Sequence, residues 1–186
     1  MSPILGIYAS QISGHLSTNN FSSIATVTVG SGGTSTVTFS SIPSTYTHLQ
    51  IRGILRHTPD SPSYGLCSYF NGDTGSNYSF HTLQSDGSSA SASGSVSQIV
   101  IVNSQMPGSG ATANAFGAVY IDVLDYANTN KYKTSRSLGG WDGNGSGYIN
   151  LYSGSWRNTA AITSISLTPY NDSFAQYSSF ALYGVK

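Results

Sequence analysis

The chain is predicted to be all-β, a single antiparallel β-sandwich of jelly-roll type with an N-terminal extension. Three observations predict it. Apolar and polar residues alternate with period two wherever the sequence is not turn-like, the mark of strands with one buried face. Clusters of Gly, Asn and Ser recur at short, even spacing between those runs, as they do in sandwiches and jelly rolls. Helix formers are scarce: charged residues make up 8% of the chain against about 25% in an ordinary soluble domain. All seven acids are Asp, none is Glu, and thirteen Tyr join abundant Ser, Thr and Val, which suit strands and turns.

At 186 residues and 19.5 kDa the chain is long enough to bury one core without disulfide or metal staples. Residues 1–20 are read as a docking segment and 21–186 as the sandwich. In the first segment Ile4, Leu5, Ile7, Tyr8 and Ile12 are apolar with no hairpin partner nearby. They are expected to dock on a neighbouring subunit or other partner; addition of an edge strand to the chain's own sandwich is the competing reading.

Along the sandwich, Ala25, Val27 and Val29 alternate with Thr, Gly30–Gly33 supplies a turn and Thr36–Phe39 returns, which predicts a hairpin. Leu49, Ile51 and Leu55 alternate with Gln50, Arg52 and Arg56, a strand with two guanidiniums on its outer side. Tyr64–Phe70 and Tyr78–Leu83 flank the turn-rich Asn71–Gly75 and predict a second hairpin. The low-complexity Ser85–Ser95 reads as a mobile loop. Further strands are expected over Val96–Val102, Ala115–Leu124, Tyr132–Leu138, Tyr148–Tyr152, Ala161–Leu167 and Phe174–Val185, about ten in all. No repeat of solenoid or propeller period is visible.

Charge and cysteine content narrow the function classes. Net charge is zero and the seven Lys and Arg are scattered, so there is no basic stripe for nucleic acid. A neutral hydroxyl- and amide-rich surface lacks the charge repulsion that keeps monomers apart, which favours assembly. Cys67 is the only cysteine, lies between apolar neighbours and is expected to be a buried, inert thiol. Asn-x-Ser triplets at Asn20, Asn77, Asn144 and Asn171 follow from a Ser- and Asn-rich composition. The opening residues lack a signal-peptide pattern, and the longest aliphatic run, Ile99–Val102, is too short for a bilayer. The expectation is a soluble protein with no membrane partner.

Candidate chemistry is thin. Asp142, Asn144, Ser146, Gly147 and Ile149 match an EF-hand loop at positions one, three, five, six and eight, but Ser153 stands where the bidentate Glu belongs and no flanking helices are expected, so the stretch reads as a hairpin turn. Asp122 and Asp125 are the closest carboxylate pair, with Asp125 suited to an Asx-type turn. Four His (His15, His48, His57, His81) accompany no Gly-x-Ser-x-Gly elbow. Gly30–Gly33 precedes a strand and lacks the helix N-terminus of a phosphate cradle. Neither an enzyme nor a metal or cofactor site is expected. Trp141 and Trp156, beside Gly-rich turns, are the candidate stacking platform for a glycan, with burial in the core as the alternative.

Several word-length stretches carry a resemblance: Ile4–Leu16, Phe21–Gly30, Ile42-Pro43 with Tyr46–Arg52, Leu124–Thr134 and Phe180–Lys186. In these the chain resembles a family of small β-rich virion proteins of tailed phages, abundant in marine phages and cyanophages. The resemblance implies a non-enzymatic structural component of the particle, synthesised in the host cytoplasm. It leaves capsid and tail both open; a capsid cement or decoration protein bound to the major capsid protein is the expectation, with a tail-associated module recognising host surface glycans as the alternative. It also implies copies grouped at local three-fold positions, hence a homotrimer, although dimers are the commonest homo-oligomers. A capsule depolymerase is disfavoured because paired carboxylates are missing.

Overall fold

A computed structural model describes residues 20–61, 63–170 and 172–186. The docking candidates Ile4, Leu5, Ile7, Tyr8 and Ile12 lie outside the described residues. Twelve strands follow in chain order: β1 Phe21–Thr28, β2 Val37–Phe39, β3 His48–Leu55, β4 Ser63–Phe70, β5 Tyr78–Ser85, β6 Ala90–Gln98, β7 Ile101–Pro107, β8 Gly117–Leu124, β9 Lys133–Asp142, β10 Gly147–Trp156, β11 Ile165–Pro169 and β12 Ser179–Val185. They form an eight-stranded sheet ordered β1-β12-β3-β8-β9-β10-β5-β6 and a four-stranded sheet ordered β2-β11-β4-β7. Every pairing is antiparallel, and no helix occurs among the described residues. The all-β sandwich is as expected.

The two sheets enclose one core. From the large sheet, Leu49, Ile51 and Leu55 of β3, Val119, Ile121 and Val123 of β8, and Phe180 and Leu182 of β12 point inward. They meet Val37, Phe39, Leu66, Phe70, Ile165 and Leu167 of the small sheet in one apolar cluster. Each side chain fully buried there contributes about 1.5–3 kcal/mol. Toward β9, β10 and β5 the inner layer turns polar: Ser135, Ser137, Asn150 and Thr82 are buried against Ser68, Asn103 and Ser104. Hydrogen bonds satisfy much of this layer. Ser137 Oγ donates to the Asn103 carbonyl at 2.6 Å, Asn103 Nδ2 to Ser68 Oγ at 2.9 Å, and the Gln105 amide to Asn150 Oδ1 at 2.9 Å.

Strand partners differ from the local expectation at three places. Gly30–Gly33 does not close a hairpin, because β1 pairs with β12 in the large sheet while β2 pairs with β11 in the small one. Asn71–Gly75 likewise carries the chain from β4 in the small sheet to β5 in the large one. Residues 85–95 are no loop: a turn held by Asp86, whose Oδ1 accepts from the Ser88 and Ser89 amides at 2.9 Å each, folds Ala90–Gln98 back on β5. Ser and Ala have weak strand preference, so that ladder, not propensity, makes β6 a strand. The expected run Val96–Val102 is in turn divided between β6 and β7.

Candidate functional site

The outer face of the large sheet is where this sequence departs from ordinary sandwich patterning. Along β9 the inward positions are Lys133, Ser135 and Ser137 and the outward ones Thr134, Arg136 and Leu138. On β10 Asn150 points in while Ile149 and Leu151 point out, and on β5 Thr82 points in while Leu83 points out. At these positions polar groups are inside and leucines outside, a local inverse of a sheet with one solvated face, although Tyr152, Trp156 and Tyr78 of the same strands stay buried.

Strand register gathers these side chains. Tyr120, Leu138, Leu151, Leu83 and Ala92 stand opposite one another across β8, β9, β10, β5 and β6. Ile54, Ala118, Gly140 and Ile149 form the adjacent row. Leu83, Leu138, Leu151, Tyr120, Ile149 and Ile54 are each about half exposed or more. A contiguous apolar stripe of this kind marks an interaction surface. At one end it opens into a groove of about 920 Å³ floored by Tyr120, Leu138 and Ile149 and walled by the β5–β6 and β9–β10 turns. Gly140 is required there, because a Cβ would lie 2.1 Å from the Tyr148 carbonyl oxygen.

Beside the stripe lies an aromatic-cationic cluster. The Arg52 guanidinium sits 5.0 Å from the Phe21 ring centroid, 5.4 Å from Tyr183 and 5.5 Å from Tyr120. Phe21 and Tyr183 stack at 4.7 Å. Gln50 accepts from Arg52 Nε at 2.9 Å and donates to Asp122 Oδ1 at 2.8 Å. This cluster holds a fixed cation over rings on an open face, a geometry suited to planar or anionic groups.

The residues singled out from sequence are placed as follows. Trp156 is 1% exposed, packed between Phe70 and Tyr78, and donates to Asp73 Oδ2 at 2.7 Å. Trp141 is 7% exposed. Trp156 offers no free ring face, so for it the stacking-platform expectation is corrected to core packing, while Trp141 is largely buried at the wall of the groove. Asp142–Gly147 is the β9–β10 hairpin turn, closed by Gly143 N to Ser146 O at 2.7 Å, and Asp142 caps the Asn144 amide at 2.7 Å. Asp125 turns the chain at positive φ, with its carbonyl accepting from Asn128, and its carboxylate pairs with Lys131. Lys131, ahead of His48, holds that carboxylate below its usual pKa. Cys67 is buried, and burial pushes its thiol up to about 12, out of reach of thiolate chemistry. His48 Nδ1 accepts from the Asp125 amide at 3.0 Å, and the His81 ring lies over Gly94.

The stripe was missed in sequence because period two identifies two faces without saying which is inside. The signal was nonetheless present: Tyr148-Ile149-Asn150-Leu151-Tyr152 is apolar on both faces, and Leu138 stands among serines. The Leu124–Thr134 word has a structural explanation. Tyr126 is buried with its hydroxyl donating to the Pro43 carbonyl. Lys133 is fully buried, and its ammonium donates to the carbonyls of Asn128, Thr159 and Lys131 at 2.6, 2.9 and 3.0 Å.

No protein-family model matches the chain. No curated protein matches it either. Among solved structures the chain is similar to the galectin LEC-6 of Caenorhabditis elegans, with 7% identity over 92% of this chain and 99% of that one, at a TM-score of 0.31. A likeness of that size carries no functional conclusion.

Proposed function

We propose that this chain is a non-enzymatic structural protein of a tailed-phage virion, a decoration module that binds the major capsid protein on the outside of the shell. The observation that carries the reading is the apolar stripe on the outer face of the large sheet, where Leu83, Leu138, Leu151 and Ile149 point outward over a locally polar interior of serines, Asn150 and Thr82. A sequence that keeps aliphatic side chains on the open face suits permanent coverage by a partner, with the working protein always assembled. The word-length resemblance to phage virion proteins points to another component of the particle as that partner, and zero net charge agrees with a surface made for packing, not for dispersal. Three copies at a local three-fold of the shell would add their weak contacts in one body. Copy number in purified particles tests the reading. Hundreds of copies per particle are expected; a handful would move the protein to the tail, and none would end it.

A second reading, a tail module for host surface glycans, is favoured by the Arg52 cluster with Phe21, Tyr120 and Tyr183 and not by the buried tryptophans. Under it, Arg52→Ala abolishes binding to host-derived glycans while the fold is kept.

A further inference from the structure

We propose that β6 is a pairing edge for a second copy of this chain: two β6 strands run antiparallel across a two-fold axis and join two eight-stranded sheets into one. β6 is the last strand of the large sheet and uses one side for its ladder with β5. On the other side its backbone groups have no strand partner among the described residues. An open edge is a template for strand addition, and natural sheets guard edges with shortness, Lys, Pro, bulges or a covering element. The other three edges are guarded in this way. β2 has three residues, β7 ends in Pro107, and β1 carries a bulge in its middle between Ser23 and Ala25. β6 is nine residues long with no charged residue and no Pro, and its irregularity, opposite Tyr78 and Phe80 with Ser97 at φ 55°, falls at its C-terminal end. Ala90–Ser95 is left straight and open.

The occupant follows from the side chains. A two-fold places each residue of a strand beside its own copy or a near neighbour, so any charge on the edge would meet its like. Ala90, Ala92 and Gly94 lie on one face and Ser91, Ser93 and Ser95 on the other, so self-pairing brings together only small, uncharged groups. The apolar row of Leu138, Leu151 and Leu83 ends at Ala92. Pairing continues it into the partner's row and gives one stripe across both sheets. The inference does not depend on the virion reading, because it concerns copies in solution and doubles whatever unit the rest of the surface forms.

Native mass measurement of the full chain tests it, with the double variant Ala92→Lys, Ser93→Lys as its arm. Wild type is expected at an even number of 19.5 kDa chains, and the variant, folded by circular dichroism, at half that mass. An odd wild-type number, or a folded variant of unchanged mass, overturns the proposal. Hydrogen exchange on the wild type removes dependence on the variant's folding. Amides of the Ala90–Ser95 stretch on the open side should be protected and lose protection on dilution, whereas fast exchange at every concentration overturns the pairing. Absence of the protein from phage particles with β6 pairing intact would refute the proposed function and leave this inference standing.

Discussion

Single buried residues do more here than fill space. His57 is fully buried, 5.0 Å from the Tyr64 ring, with neither ring nitrogen hydrogen-bonded within the described protein. Burial lowers its pKa from 6.5; Asp172 opposes that shift and Arg56 adds to it. Between the folded and unfolded pKa values the unfolded chain binds the extra proton, so His57 stabilises the fold fully above about pH 6.5 and progressively less as pH falls below it. Urea midpoints measured from pH 7.5 down to 5 should therefore fall, and His57→Phe should flatten that slope; an unchanged slope would mean the ring is solvated. Lys133 is the complementary case, a buried cation with three carbonyl partners and no carboxylate. Burial, with Lys131 nearby, lowers its pKa from the ordinary lysine value. Its ammonium ties the β8–β9 turn to the segment after β10, and Lys133→Met leaves those carbonyls unpaired, at a cost of about 2–3 kcal/mol. Denaturant unfolding checks this, and a loss below about 0.5 kcal/mol would show that water replaces the ammonium without penalty.

Elements show which parts of this fold are written locally. Alternation located β1, β3, β8 and β10 to within a few residues, because each has a face against the core. It could not choose partners: a Gly-rich reversal such as Gly30–Gly33 looks the same whether the next strand lies alongside or crosses to the facing sheet. It also missed β6, whose Ser-Ala-Gly composition has the local preference of a loop and becomes a strand only through β5 and the Asp86 turn. The site was harder still, since the polar interior around Asn103 and Asn150 makes the leucines opposite look like core. The outer stripe yields an element-scale prediction. Leu138→Ser with Leu151→Ser alters half-exposed side chains that meet across β9 and β10. Stability should fall by no more than about 1.5–3 kcal/mol, half the burial value of each of two side chains, while attachment to stripped shells falls sharply. A large loss of stability with attachment unchanged would return these leucines to the core and the stripe to incidental exposure.

At the scale of the molecule, the stripe on the large sheet is joined by a second docking candidate known from sequence alone, the uncharged opening of the chain. Residues 1–12 contain no Asp, Lys or Arg, and Ile4, Leu5, Ile7, Tyr8 and Ile12 would each contribute about 1.5–3 kcal/mol if fully buried on a partner. Among the described residues the buried apolar core comes from residues 29–182, and the docking proposal gives the opening to a partner. Deleting residues 1–12 should therefore leave the thermal melt and the β-type circular dichroism of the full chain. It should also remove most binding to capsids stripped of the protein, because the stripe alone then carries the attachment. Two results would count against this division of labour. A truncated chain that binds at wild-type levels would leave the sheet face as the whole docking surface. A truncated chain that melts many degrees lower would assign the opening to the sandwich itself, as the edge strand that the sequence leaves open.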